Sequence, residues 1–398
     1  MVEEKAYIVV GLGFGDEGKG LTTDFLCLKN PDSVVIRYNG GHQAGHCVVT
    51  GDGKSHIFSN LGSGTFRGIP TFWSNYCTVA PTFLIEELGI LRLEPLLYID
   101  LRCPVTTHYD ILFNRCKEIT SGNNRKGSCG VGYGATVDRE QEGLSFTFAD
   151  LLVGKTVVQK LNDLRRYYRK MINLDTGFDF DDLDHEFEDE QFMAAIENIR
   201  QKVSHGTIVP ISEEDFFKSI ASKTLIFEGA QGIMLDKDFG TKPHVTKSNT
   251  TSSNALTLLN RNKISHKPVI VYVSRAYQTR HGAGPFPEQH PNFSLHYENV
   301  KETNKANAYQ GDFKVNFLNI DDLNNAISYD GEISIGLEKR LMITCIDHFP
   351  DNIIGVLKSG NLTKIRYDEV PLMLYSTFTE TTFSFSNCAE NLLHDLEH

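Results

Sequence analysis

Four apolar runs stand out along the chain: Tyr7–Val10, Ser33–Ile36, Thr224–Phe227 and Pro268–Val273. Each is short, largely apolar and bounded by glycine or polar residues, which predicts buried β-strands. Two of them run straight into glycine-containing polar loops, at Gly11 and at Glu228-Gly229. That pattern predicts an α/β fold in which ligands collect at the carboxyl ends of parallel strands. The stretch 148–204 reads as a mostly helical insertion. Within it Asp175–Phe192 is dense in Asp and Glu with interleaved Phe, as expected of a solvated helix pair or loop insert. No repeat, low-complexity linker or clean boundary divides residues 1–398, so one large domain with insertions is expected.

The first loop carries the most chemistry. Gly11-Leu12-Gly13-Phe14-Gly15-Asp16-Glu17-Gly18-Lys19-Gly20 follows a strand and has the Gly13-x4-Gly18-Lys19 spacing of a phosphate-cradling Walker-A loop. At the next position, where such loops place a Ser or Thr for Mg²⁺, stands Gly20. A carboxylate, Asp16, sits inside the loop instead. It would repel a bound phosphate unless a metal or a proton transfer uses its charge, which points to an enzyme rather than a nucleotide-binding module.

Composition narrows the class without naming it. The 398 residues are 40% hydrophobic and 23% charged, the balance of a soluble globular protein. A net charge of −12 argues against a broad nucleic-acid or membrane-surface role. Eight scattered cysteines with no C-x-x-C pair predict free thiols, not a disulfide framework or a zinc site. With no apolar run of transmembrane length and no signal-like start, a cytoplasmic location is expected.

Three further clusters stand out. Arg37-Tyr38-Asn39-Gly40-Gly41-His42-Gln43-Ala44-Gly45-His46-Cys47 is a tight glycine loop presenting two histidines. Its glycines disfavour the helix that would make His42 and His46 an i,i+4 metal pair, so a general-acid histidine is the better reading. Phe227-Glu228-Gly229-Ala230-Gln231-Gly232, with the hydroxyl-rich Val245-Thr246-Lys247-Ser248-Asn249-Thr250-Thr251, suits a phosphorylated sugar and a base edge. Gln278-Thr279-Arg280-His281-Gly282-Ala283-Gly284-Pro285-Phe286-Pro287 is a rigid turn bearing an arginine.

Taken together, Gly15-Asp16-Glu17-Gly18-Lys19-Gly20, Gly40-Gly41-x-x-Ala44-Gly45-His46, Glu228-Gly229-Ala230-Gln231-Gly232 and Thr279-Arg280-x-Gly282-Ala283-Gly284-Pro285-Phe286-Pro287 resemble the motifs of the adenylosuccinate synthetase family, in its order and at about its spacing. The likeness is strong over 1–65 and 224–290, patchy over 100–150 and poor after 300. It implies a P-loop-like α/β fold with a mixed or parallel central sheet flanked by helices. It further implies a homodimeric, GTP- and Mg²⁺-dependent ligase of purine biosynthesis that phosphorylates O6 of inosine monophosphate and lets the amine of L-aspartate displace the phosphate. By that resemblance Asp16 takes the N1 proton of the purine, His46 assists the transferring phosphoryl group and Lys19 neutralises phosphate charge. Asp16 and the carbonyl of Gly45 hold Mg²⁺. Gly15, Gly18 and Gly20 belong to the phosphate loop, Gln231 and Thr246 to the purine nucleotide site, and Arg280 to the Gly/Pro turn.

The departures from the family are clustered. Its arginine-rich donor loop corresponds best to Lys301–Tyr309, where Lys305 is the basic residue left for a carboxylate. Its guanine-reading Thr-Lys-x-Asp becomes Thr344-Cys345-Ile346-Asp347, leaving Asp347 to accept from the base, and a later loop shrinks to Ser376-Thr377-Phe378-Thr379. Gln43 replaces an asparagine beside the phosphate. Ser128 stands in for a Thr-Thr turn, and Arg139 is the basic residue nearest the place of a partner-subunit arginine. The part from 300 to 398 is thus a divergent donor- and base-binding region. The same activation chemistry with another amine, another purine nucleotide or ATP stays open beside the family reaction, as does a non-catalytic nucleotide-binding protein.

Overall fold

The computed structural model of the chain describes residues 4–122, 127–295 and 312–395. In chain order its strands are β1 (Lys5–Gly11), β2 (Ser33–Arg37), β3 (Gly40–Gly41), β4 (His46–Val49), β5 (Ser55–Phe58), β6 (Thr71–Trp73), β7 (Cys77–Thr78), β8 (Leu97–Asp100), β9 (Ile208–Ile211), β10 (Thr224–Gly232), β11 (Lys267–Arg275), β12 (Tyr277–His281), β13 (Phe313–Asn319), β14 (Glu338–Thr344), β15 (Ile353–Lys358), β16 (Asn361–Arg366) and β17 (Glu380–Phe383). The helices are α1 (Lys19–Lys29), α2 (Pro81–Leu91), α3 (His108–Ser121), α4 (Tyr133–Gln141), α5 (Phe148–Leu151), α6 (Gly154–Asp175), α7 (His185–Ser204), α8 (Glu213–Ser219), α9 (Ser253–Arg261), α10 (Ile320–Ile333) and α11 (Ala389–Asp395).

Nine strands form one sheet in the order β17-β14-β11-β1-β10-β2-β6-β8-β9, and every neighbouring pair in it is parallel. The four apolar runs are its centre: β11, β1, β10 and β2. Both faces of these strands are covered, which is why they read as unbroken apolar stretches. Along β1, Ala6, Ile8 and Val10 enter one core with Phe227, Ile270 and Tyr272. Tyr7 and Val9 enter another with Leu21, Phe25 and Leu26 of α1. Because β1, β10 and β11 run the same way, Gly11, Gly232 and Arg275 all end at one edge of the sheet.

A third core lies under β6 and β8. Helix α6 contributes Val157, Leu161, Leu164, Tyr168 and Ile172, a stripe at three- and four-residue spacing. The acidic stretch closes α6, passes through a 3-10 turn at Phe180–Asp182 and opens α7. Its Asp181 pairs with Arg169, and Asp189 accepts from His108 Nε2 (2.8 Å), Tyr109 OH (2.6 Å) and Arg165. These acids therefore join helices to one another.

A smaller sheet, β12-β13-β15-β16, combines antiparallel and parallel pairs and stands beside the glycine loop. All eight cysteines are free. Among the described residues no helix is long and apolar enough to cross a membrane.

Candidate active site

The loop after β1 is closed by its own glutamate. Glu17, 3% exposed, turns back so that Oε1 accepts from the backbone N–H groups of Gly13 (3.0 Å) and Gly15 (2.7 Å), while Oε2 accepts from Lys19 Nζ. Backbone amides that gather one carboxylate oxygen form the kind of concavity that also binds phosphate. Gly15 and Gly18 have φ of +102° and +97°, and Asp16 has φ of +62°, a left-handed conformation that a non-glycine residue holds at a cost of about 1–3 kcal/mol. The surroundings fix that conformation. The Asp16 carbonyl accepts from Arg275 Nε, the Glu17 carbonyl from Thr344 Oγ1 (2.7 Å) and the Gly15 carbonyl from Thr279 Oγ1 (3.4 Å).

This clasp presents the Asp16 carboxylate to His281 Nε2 at 3.3 Å. Burial pushes the Asp16 carboxyl up, but the His281 hydrogen bond and the nearby Arg275 and Lys19 charges outweigh it, and the net shift is downward. Asp16 is therefore an ionised base held in a strained loop, the combination expected of a group placed for chemistry.

His46 opens β4 and is buried. Its Nδ1 lies 2.7 Å from Glu228 Oε1, while Nε2 has no partner among the described residues. Glu228, wholly buried on β10, also accepts from Ser63 N (3.2 Å) and Ser63 Oγ and lies 3.9 Å from Arg37. Burial opposes its charge, but His46, Arg37 and Ser63 hold its carboxyl down at about 2. An ionised Glu228 fixes the proton of His46 on Nδ1 and aims Nε2 away from the sheet. The glutamate stands in the motif Phe227-Glu228-Gly229-Ala230-Gln231-Gly232, but the sequence alone does not disclose its role. The partners are 182 residues apart; the parallel pairing of β10 with β2 and the packing of α1 against both β4 and β10 bring them together.

Gly20 explains the missing Walker hydroxyl. A Cβ built there would lie 2.8 Å from the Cys47 carbonyl oxygen and 3.0 Å from His46 Cβ, so the start of α1 packs directly on β4. Side-chain space at this position has been given to the histidine. Gly20→Ala is therefore expected to push β4 away, lower stability by about 1–3 kcal/mol and cut kcat at least about tenfold. Thermal melts and steady-state kinetics check this; an unchanged kcat would separate the close packing from the position of His46.

Gln231, at the end of β10 with φ of +61°, lies against Gly15, and its Oε1 is buried without a partner among the described residues. Gln43 has both amide atoms in the same condition beside Gly40 and Gly41. Gly45 is exposed between Gln43 and His46. Thr246 is held by its N–H on the Leu235 carbonyl (2.8 Å), in a loop organised by Asp236, which accepts from Thr250 N (2.6 Å) and Asp238 N (2.9 Å). Ser128 Oγ accepts from Asn114 (2.9 Å) in a loop whose Val131 carbonyl meets His42 Nε2 (3.0 Å). That bond, together with stacking on Phe83, commits His42 to structure. Asp347 is half-buried after β14. Its neighbour His348 meets Tyr277 OH (3.0 Å), which accepts from Arg275 (2.8 Å), the residue on the Asp16 carbonyl. Arg280 lies over the ring of Phe14, 4.4 Å from its centroid.

Arg139 is a correction. It is 0% exposed and committed within its own fold to Asp110 (3.0 Å), Glu140 (2.8 Å) and the carbonyls of Leu144 (2.6 Å) and Val105 (2.7 Å). A guanidinium so enclosed cannot reach a partner's ligand; it ties α4 to α3. Lys305 lies outside the described residues. Among the described residues no group of three or more His, Cys, Asp or Glu could cage a metal. Magnesium takes carboxylate and carbonyl oxygens beside phosphate and water, and Asp16 and Gly45 offer one of each kind.

A family model described as adenylosuccinate synthetase matches residues 8–309. The adenylosuccinate synthetase of Acinetobacter baylyi is 32% identical over 311 residues, 76% of this chain and 67% of that protein. That of Teredinibacter turnerae is 30% identical over 291 residues, 72% of this chain and 65% of that protein. The matched stretch thus spans about two thirds of the length of these relatives. In fold, the chain resembles the fully ligated adenylosuccinate synthetase from Plasmodium falciparum, with a TM-score of 0.79 at 18% identity, covering 97% of this chain and 99% of that one. A cyanophage S-2L succinoaminodeoxyadenylate synthetase, bound to dGMP and to dATP as an energy donor, superposes with a TM-score of 0.63 at 14% identity, covering 98% of this chain and 94% of that one.

Proposed function

The chain belongs to the adenylosuccinate synthetase family, and on that premise we propose that it is a C–N-bond-forming ligase that joins L-aspartate to inosine monophosphate at the expense of GTP. The observation that carries this reading is the presence of two chemically complementary groups in the segments that follow β1 and β2. One is the ionised, strained Asp16; the other is the Glu228-backed His46, whose Nε2 has no partner among the described residues.

Asp16 removes the proton from N1 of the purine, which pushes electron density onto O6; O6 then attacks the γ-phosphorus of GTP, the bond from that phosphorus to the β,γ-bridging oxygen breaks, and GDP leaves. His46 Nε2 faces the transferring phosphoryl group, with Glu228 stabilising positive charge on the ring as the phosphoryl oxygens draw on it. Phosphate displaces the Glu17 carboxylate from the amides of Gly13 and Gly15 and takes over Lys19. The aspartate amine then attacks C6 and inorganic phosphate leaves. Asp16 and the Gly45 carbonyl would hold Mg²⁺, which would supply charge neutralisation on the phosphates when bound. Gln231, Gln43 and Thr246 hold the purine nucleotide, Ser128 lies on the loop beside it, and Asp347 accepts from the guanine edge. The active unit is a homodimer in the cytoplasm.

The test is direct. The protein is incubated with inosine monophosphate, Mg²⁺, aspartate and either GTP or ATP, and product mass and phosphate release are followed. Adenylosuccinate formed with GTP in preference to ATP is expected. Phosphate release with another amine but not with aspartate would overturn the choice of donor, and no nucleotide-dependent turnover would overturn the reading as a whole.

A further inference from the structure

Arg280 and Lys314 stand opposite each other in the antiparallel β12–β13 pair, as register partners. Both cationic heads reach one turn: Arg280 Nη1 donates to the Pro285 carbonyl (2.9 Å) and Lys314 Nζ to the Gly284 carbonyl (3.3 Å). Arg280 Nη2 donates to the His244 carbonyl (3.2 Å), and its guanidinium covers the ring of Phe14. The residue is 2% exposed, and its Nε has no partner among the described residues. Every hydrogen bond the two heads make is to a neutral carbonyl. Neither forms an ion pair with a described carboxylate; exposed Asp312 acts on Lys314 only at longer range.

Two cations side by side and partly desolvated repel one another. Burial pushes Arg280 down to about 10, and burial together with Arg280 pushes Lys314 down. An anion between them would relieve both costs. The location is also informative. The two heads lie where the glycine loop, the loop carrying Thr246 and the turn at 282–287 meet, and the next residue on β12, His281, reaches Asp16. The nucleotide phosphates already have the loop amides and Lys19.

We propose that Arg280 and Lys314 form an anion subsite that takes a carboxylate of the amine-bearing substrate, with Lys314 determining the choice of donor. The subsite rests on the ligase reading above for the identity of its ligand. A planar guanidinium suits a carboxylate, and the lysine adds a second charge to the same oxygen pair.

Lys314→Met, with Lys314→Arg as the conservative control, tests it. The methionine variant is expected to raise KM for aspartate at least tenfold, with kcat within threefold and KM for inosine monophosphate and GTP unchanged. The arginine variant is expected to restore KM to within threefold of the parent. Independently of turnover, calorimetry with succinate on the nucleotide-loaded protein should show binding at least tenfold weaker in Lys314→Met, while titration with inorganic phosphate shows no difference. Equal succinate affinity and equal aspartate KM in the two proteins would overturn the subsite. Weakened phosphate binding with succinate unaffected would overturn the carboxylate assignment. If aspartate gives no turnover yet the succinate contrast holds, the ligase reading fails and the subsite stands. Should the methionine variant not fold, Lys314→Gln carries the same comparison.

Discussion

Asp16→Asn is expected to lower turnover by about 10²- to 10⁴-fold while nucleotide affinity stays within about threefold. The amide is nearly isosteric with the carboxylate, and asparagine tolerates the left-handed conformation that residue 16 adopts at φ +62°. The loop should therefore keep its shape: the clasps from Arg275 and Thr344 are to backbone carbonyls and do not involve the side chain that changes. What is lost is the capacity to accept a proton. Single-turnover phosphate release and equilibrium binding of a labelled nucleotide separate these effects. Substantial residual turnover would show that the purine proton goes elsewhere.

Glu228→Gln is expected to be nearly as costly, and for two reasons that different measurements resolve. A neutral amide can still accept from His46 Nδ1, but it no longer stabilises positive charge on the imidazole or holds its tautomer. Comparable orienting carboxylates in enzymes are worth up to about 10⁴ in kcat. The same change leaves Arg37, fully buried beside Trp73, without its carboxylate at 3.9 Å. Breaking a buried pair from one side costs about 3–5 kcal/mol. A lowered melting temperature with kcat down at least about 10²-fold is expected, whereas Ser63→Ala should cost about 1.5–3 kcal/mol, the worth of one hydrogen bond to a charged group, and leave most of the rate. A Glu228→Gln enzyme that melts early but turns over normally would make the glutamate purely structural.

These two residues illustrate what a single sequence discloses. The central strands were legible because parallel strands buried on both faces must be apolar along their whole length, and β1, β2, β10 and β11 extend the four runs at one or both ends. Asp16 and His46 stand out in the sequence because each lies in a glycine-rich loop that follows a strand. Glu228 lies in a motif visible in the sequence, but its role is not visible there, since its partner comes from a distant segment and carboxylates at strand ends are common. Arg139 was misplaced for the converse reason: spacing along the chain does not distinguish an arginine that projects from one enclosed by Asp110 and three other acceptors. The facing of Lys314 and Arg280 depends on strand register across a long connection, which local pattern does not encode. Gly20 was noticed as an absence, whereas its contact with His46 and Cys47 gives the absence a cause.

All of this chemistry turns on O6 of the purine becoming bonded to phosphorus before the amine arrives. The direct measurement is turnover of inosine monophosphate labelled with ¹⁸O at O6, in the presence of GTP, Mg²⁺ and aspartate, with mass analysis of the phosphate released. The expected result is one ¹⁸O in the phosphate for each adenylosuccinate formed. Unlabelled phosphate accompanying product would contradict activation at O6 and, with it, the roles given to Asp16 and His46.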